Sequence, residues 1–186
     1  MTIVTVTPPA GEPVSLAEAK LFLRVDNSAD DALIQTLVAA ARGAVEAGCG
    51  RALITRRVRE SLDIWRTDSR GGAVLGLGPV KTVHVVRLIA QNGSESVIDP
   101  ARYRLDGAGD RPRLVFEAGL PMTLRAIGGV EIEYDAGLAD EAAALPTALR
   151  LAALHIIAAL YDSREGAAGL PDAARALMRP FQPVRL

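Results

Sequence analysis

Apolar residues along this chain change their spacing twice. Between residues 15 and 50 they recur every three or four positions, between 51 and 135 they tend to alternate with polar neighbours, and from 145 onward the helical spacing returns. A period near 3.6 marks one face of a helix, and a period of two marks a half-buried strand. The pattern predicts helices at both ends and a β region between them.

In the first helical stretch, Ser15-Leu16-Ala17-Glu18 fits a capping box, in which the serine accepts from an orphan N–H and the glutamate reaches back. A short helix is expected over 16–24, with Leu16, Ala19, Phe22 and Leu23 inward, ended by Val25-Asp26-Asn27-Ser28. Ser28 and Asp31 repeat the capping pattern and open a second helix to about residue 48. Its apolar face is Leu33, Ile34, Leu37, Val38, Ala41, Ala44 and Val45. Asp30 and Asp31 fall in the first turn, where the helix dipole favours acids, and Gly48 and Gly50 close the helix. Residues 1–14 read as an extended arm whose Ile3, Val4 and Val6 suit one edge strand.

In the middle region, Ile54, Val58, Leu62 and Ile64 alternate with polar residues and predict a strand ending near Trp65, then a turn over 66–72. Residues 80–89 are rich in β-branched side chains, and Asn92-Gly93 is a tight-hairpin signal. Segments 103–105, 113–116 and 129–135 complete the set. In the last, Val130, Ile132 and Tyr134 share one face while Glu131, Glu133 and Asp135 share the other. That is a half-buried antiparallel strand.

The last long apolar segment, 145–161, holds only Arg150 and His155 as strongly polar side chains between Ala148 and Tyr161. Pro146 suits a helix's first turn. A surface helix has one wet face, whereas this one is apolar almost all round and too short and interrupted to cross a bilayer. It needs cover on several sides, some of it expected from another subunit. A polar break at 163–169 precedes a short helix over 172–178, stopped by Pro180. The fold class is α+β, a helical bundle with an inserted antiparallel β-sheet. The expected parts are an arm and first helical pair at 1–50, the β insertion at 51–137, a second helical pair at 138–178 and an extended docking tail at 179–186.

Composition narrows function more than fold. Among 186 residues, Lys plus Arg number 21 and Asp plus Glu 22, a net charge of −1 that lacks the basic excess of a dedicated duplex-DNA binder. Aromatics at 4% leave little for stacking on single strands. Cys49 is the only cysteine, so neither an intrachain disulfide nor a cysteine-rich zinc site can form. No basic segment followed by an apolar core opens the chain, so synthesis in a reducing cytoplasm is expected.

Catalytic constellations are not apparent, and the chain reads as a non-enzyme without cofactor. His84 lies mid-strand and His155 on the apolar helix, where a core or interface role fits better than a general base. No His-x-His or His-x3-His spacing exists, so no metal site is expected. Cys49 sits at a helix C-terminus, whose partial charge disfavours a thiolate. Residues 71–78 are glycine-rich but lack the Gly-Lys-Ser/Thr ending of a phosphate loop, and residues 106–110 lack the closing glutamate of a calcium loop.

Two basic features remain. Arg56, Arg57 and Arg59, with Arg66 and Arg70, cluster on the first long strand and its turn, interleaved with Glu60, Asp63 and Asp68. A solvated or salt-bridged strand face is one reading and contact with an acidic partner surface the other. Residues 173–186 carry Arg175, Arg179 and Arg185 and no acid. Phe181, Val184 and Leu186 are apolar anchors there, and Pro180 and Pro183 are expected to hold the tail extended. Aromatic and arginine side chains of this kind dominate interface energetics.

An ordered set of landmarks carries a resemblance. Residues 13–20, Leu23-Arg24-Val25-Asp26, and the run from Asp31 to Gly50-Arg51 resemble the opening of the head–tail connector (adaptor) proteins of long-tailed bacteriophages. Trp65, Gly78-Pro79-Val80, Tyr103, Tyr134-Asp135-Ala136-Gly137, Leu145-Pro146 and residues 161–165 continue it. Gly78 stands where many relatives place a second proline, which predicts only a local loop difference. The resemblance implies a structural subunit of a ring, dodecameric in the particle, in the neck of a virion or gene transfer agent. Such a ring docks on the portal, carries the next neck or stopper protein and passes DNA without reading it, with no membrane and no small-molecule substrate. The tail and the strand arginines are then the expected contacts with portal or neck. From the residues alone, a small cytoplasmic dimeric binding module is the alternative.

Overall fold

The computed structural model describes residues 2–63, 72–107, 112–116, 123–163 and 169–183. The chain divides into a β unit, residues 1–9 with 55–137, and a helical unit, residues 10–54 with 138–186.

The helical unit contains α1 (Leu16–Leu23), α2 (Asp31–Cys49), α3 (Thr147–Asp162) and α4 (Asp172–Met178). The capping box at α1 forms as the sequence predicts: Glu18 N–H donates to Ser15 Oγ at 3.2 Å, and Ser15 N–H donates to Glu18 Oε2 at 2.9 Å. The backbone donor of Ser15 holds the Glu18 carboxyl below its ordinary pKa, and the same carboxylate pairs with Arg150 of α3. The second capping pattern does not form. Asp30, not Ser28, sits at the N-cap of α2 and makes no cap hydrogen bond. Its carboxylate accepts from Tyr161 Oη at 2.7 Å, while Asp31 pairs with Lys20 Nζ at 2.6 Å. Both acids stand at the start of α2 as their spacing predicts, but their carboxylates serve partners on α3 and α1 rather than a capping box. Gly50, at φ 64°, closes α2 in the left-handed conformation that glycine adopts without strain.

Ile34, Val38, Ala41, Val45 and Cys49 of α2 pack with Leu149, Ala152, Ala153, Ile156 and Ile157 of α3, and Ala19, Ala174 and Met178 join them from α1 and α4. Leu33 was expected inward but is half exposed, at the margin of the α2 stripe. The core face of α3 is covered within the chain. From Ala148 to Tyr161 every residue is buried or half-buried within this one chain. The other helices bury Leu149, Ala152, Ala153, Ile156 and Ile157, and the remaining residues of α3 up to Tyr161 stay half-buried.

Among its described residues the β unit holds two antiparallel sheets. The larger has the order β1 (Thr2–Thr7), β2 (Arg56–Leu62), β8 (Val130–Ala136), β4 (Val80–Ile89) and β5 (Glu95–Val97). The smaller has the order β3 (Gly72–Val74), β7 (Arg113–Phe116) and β6 (Tyr103–Asp106). The arm therefore supplies the edge strand its alternation suggested, with Val4 opposite Arg59 and Ile3 opposite Glu60. Gly93, at φ 83°, turns the β4–β5 hairpin at the Asn92-Gly93 signal. Trp65 and the turn beyond it, like residues 108–110, lie outside the described residues.

One face of the larger sheet is apolar: Val58, Leu62, Val86, Val130, Ile132 and Tyr134 are buried. Glu60 is on that face too, fully buried, because it lies two residues from both Val58 and Leu62. The sequence reading placed it among the solvated charges, and strand alternation overrules that.

Candidate functional site

The opposite face of the larger sheet gathers two of the three strand arginines into a charge ladder. Arg57 on β2, Asp135 on β8 and His84 on β4 form one rung. Arg57 Nε donates to Asp135 Oδ1 at 3.1 Å, and His84 Nε2 lies 2.7 Å from Asp135 Oδ2. Arg57 Nη2 stands 3.0 Å from the same imidazole nitrogen. One nitrogen cannot donate to Asp135 and accept from Arg57 at once; the shorter contact to an anion makes Nε2–H the donor to Asp135. Burial raises the Asp135 pKa, but the hydrogen bonds from Arg57 and His84 outweigh it and leave it lowered.

The second rung is Arg59, Glu133 and Arg87. Glu133 Oε1 accepts from Arg59 Nη2 at 2.7 Å and from Arg87 Nη1 at 3.1 Å. The Arg59 hydrogen bond and its charge, helped by Arg87, hold Glu133 below the ordinary carboxylate range. The strict alternation in β2 and β8 builds both rungs: arginines at odd positions of β2 face acids at odd positions of β8. Arg56 faces the other way, half-buried opposite Ala136. Sequence reasoning found the arginines but missed their partners, since Arg87 and His84 come from a strand whose register no local signal sets.

The C-terminal candidates separate. Arg175 pairs with Asp172 within α4, and Arg179 is exposed. Residues Arg179–Phe181 form a 3-10 turn rather than the extended chain expected of them, because proline suits the first turn of a helix as well as extended backbone. Phe181 packs against the helical core, and Gln182 Nε2 donates to the Gly48 carbonyl at 3.0 Å. Val184, Arg185 and Leu186 lie outside the described residues, as do Arg66 and Arg70. The structure thus seats the beginning of the tail on the bundle.

His155 meets Phe22 edge-on, with ring centroids 5.6 Å apart. Burial raises the pKa of the Cys49 thiol. Among the described residues no group of three His, Cys, Asp or Glu side chains is placed to hold a metal ion, and no helix is long and apolar enough to cross a membrane. The larger groove, about 660 Å³, runs beside α1 past Leu16, Leu21 and Val25 and is open to solvent. A second, about 250 Å³, is lined by Ala44, Ile156, Leu160 and Leu170. Neither brings together a nucleophile, a base and an orienting group.

Among the described residues the arrangement offers a self-paired charge ladder and apolar grooves, and no assembled catalytic group. Residues 13–73 match the family described as phage gp6-like head-tail connector protein. A solved structure of the virion of a native gene transfer agent particle contains a chain 33% identical to this one, covering 100% of this chain and 97% of that chain with a TM-score of 0.85. The neck of the empty particle, solved with C6 symmetry, and the neck of the native particle, solved with C12 symmetry, each contain a chain 33% identical over the same coverage, with a TM-score of 0.81. Among curated protein sequences none matches. At that identity over nearly the whole length, this chain belongs to the head–tail connector family, whose members are structural components of virions.

Proposed function

We propose that this protein is a neck adaptor of a phage-like particle, with copies arranged in a ring, dodecameric in the particle, between the portal and the next neck or stopper protein. The observation that carries this reading is the 33% identity, over 97% of its length, to a chain in the neck of a gene transfer agent particle. Head-to-tail contacts close into a ring when the rotation between copies divides a full turn. Each such contact requires on the order of 800 Å² per partner to be specific. DNA passes through the ring under weak, sequence-independent contact, in keeping with a net charge of −1.

In this reading the helical unit forms the ring wall and the β unit meets neighbouring proteins. Portal contact rests on Arg179, Arg185, Val184 and Leu186, with Arg175 and Phe181 behind them. Arg57 and Arg59 are already answered by Asp135 and Glu133, so the tail is the stronger candidate. The test is particle assembly with a chain lacking residues 184–186 and carrying Arg179→Glu. DNA-filled heads without tails are expected, with the variant still folded by circular dichroism. Normal tailed particles overturn the portal role, and a wild-type protein missing from the neck of purified particles overturns the adaptor reading.

A further inference from the structure

The larger sheet ends, among the described residues, in β1 on one side and β5 on the other. All six residues of β1 are exposed, and Thr2-Ile3-Val4-Thr5-Val6-Thr7 contains no charge and no proline. Protected edge strands carry lysine, proline or an inward charge, are very short, or are bent away by a bulge. β1 carries no charge or proline and runs six residues, and its one irregularity is a register shift against β2 between Thr5 and Thr7, beyond Val4. Its outer backbone groups form a template for another strand, and Val4 stands 58% exposed above them. At the far edge β5 is short, three residues with Glu95 at its start, but all three are exposed and Val97, at 66%, presents an uncharged apolar end.

Direction selects the occupant. Each neighbouring pair in the order β1, β2, β8, β4, β5 is antiparallel. Five alternating strands leave β1 and β5 pointing the same way. Two copies related by rotation, without inversion, then bring β5 of one beside β1 of the next as a parallel pair. Two different edges of one molecule meeting in this way make a head-to-tail contact, which can close into a ring. Pairing of β1 with β1 of a second copy would instead need a two-fold axis and would stop at a dimer.

We propose that the open edge of β1 in one copy pairs with the open edge of β5 in the next, joining neighbouring sheets in the assembled ring. The inference rests on the ring assembly proposed above and assigns one of its subunit contacts. Backbone pairing sets direction and register, while Val4 and Val97 close over the joint.

The test uses the full-length chain under ring-forming conditions, either at high concentration alone or co-produced with a portal protein. Val4→Cys and Val97→Cys are combined, with buried Cys49 as background, and the sample is oxidised and run on non-reducing gels. A ladder of cross-linked species beyond dimers is expected from the double variant and not from either single variant. In a second arm, Val4→Lys with Val6→Lys should weaken assembly by roughly tenfold or more, since charge on an edge opposes pairing, with an unchanged circular dichroism spectrum. Rings visible by electron microscopy without a ladder overturn the β1–β5 contact and leave the adaptor reading standing. A dimer from Val4→Cys alone overturns it in favour of two-fold pairing. Failure of the wild-type chain to form rings under either condition overturns the adaptor reading, and this inference with it.

Discussion

Tyr134 Oη donates to Glu60 Oε2 at 2.7 Å across the β2–β8 pair, inside the apolar face of the larger sheet. The same oxygen accepts from Gly76 N–H at 2.9 Å, whereas Oε1 is buried without a hydrogen-bond partner among the described residues. Burial raises the Glu60 pKa above its ordinary value, and burial together with the nearby Glu60 charge raises that of Tyr134. A carboxyl whose folded pKa is raised contributes its stability at low pH and loses it as pH rises through the folded pKa. Glu60→Gln should therefore flatten the decline in thermal stability above about pH 4.5, where an ordinary glutamate is already ionised. Melting curves between pH 4 and pH 8 check this, and identical slopes in both proteins would refute it. Tyr134→Phe, which removes one of two donors to a buried carboxylate, should cost about 1–3 kcal/mol.

The charge ladder on the opposite face responds to pH in the other sense. Glu133 has a lowered folded pKa, so its contribution is present above the ordinary carboxylate pKa and disappears as pH falls through the folded value. Glu133→Ala leaves Arg59 and Arg87 unanswered. Because Arg59 is 44% exposed, the expected loss is small, about 1 kcal/mol at low salt and less in 1 M salt. Denaturant titrations at two salt concentrations measure it, and a salt-independent loss would contradict an electrostatic role.

Since α3 is covered from within, truncating its core should unfold the subunit rather than only its assemblies. Leu149→Ala is expected to lower stability by about 2–5 kcal/mol. The wild-type chain, purified alone at micromolar concentration, should sediment as a folded monomer. An obligate large oligomer under those conditions would show that the helical core is incomplete without a partner.

Gly129 precedes β8 where there is no room for a side chain. A Cβ there would fall 2.7 Å from the Arg125 carbonyl oxygen and 2.9 Å from Leu124 Cβ. Gly129→Ala should therefore destabilise the β unit by about 1–3 kcal/mol. A melting temperature equal to wild type would show that the 124–129 turn yields freely.

Periodicity made most of this fold legible. The capping box of Ser15 and Glu18, the β-branched run of β4, the alternation of β8 and the Asn92-Gly93 turn are local signals, and each produced its element. What failed was tertiary. Ser28 and Asp31, spaced for a capping box, form none, because Asp31 pairs with Lys20, and Asp30 at the N-cap accepts instead from Tyr161. Glu60 looked solvated among arginines, but the two-residue repeat put it inside. Of the candidate contacts, the strand arginines were visible while their partnership with Asp135 and Glu133 was not, because it depends on strand register. Phe181 read as a free anchor, and its seat against the helical core depends on a 3-10 turn that Pro180 equally permits.

The burial of α3's core face by its own chain bears on how any larger structure would be put together. A subunit that buries the core face of its greasiest helix unaided has little to gain from folding and joining in a single step. Association becomes the docking of finished parts, limited by encounter and orientation rather than by chain rearrangement. Such parts can wait, free in solution, until a template presents the geometry that closes the circle.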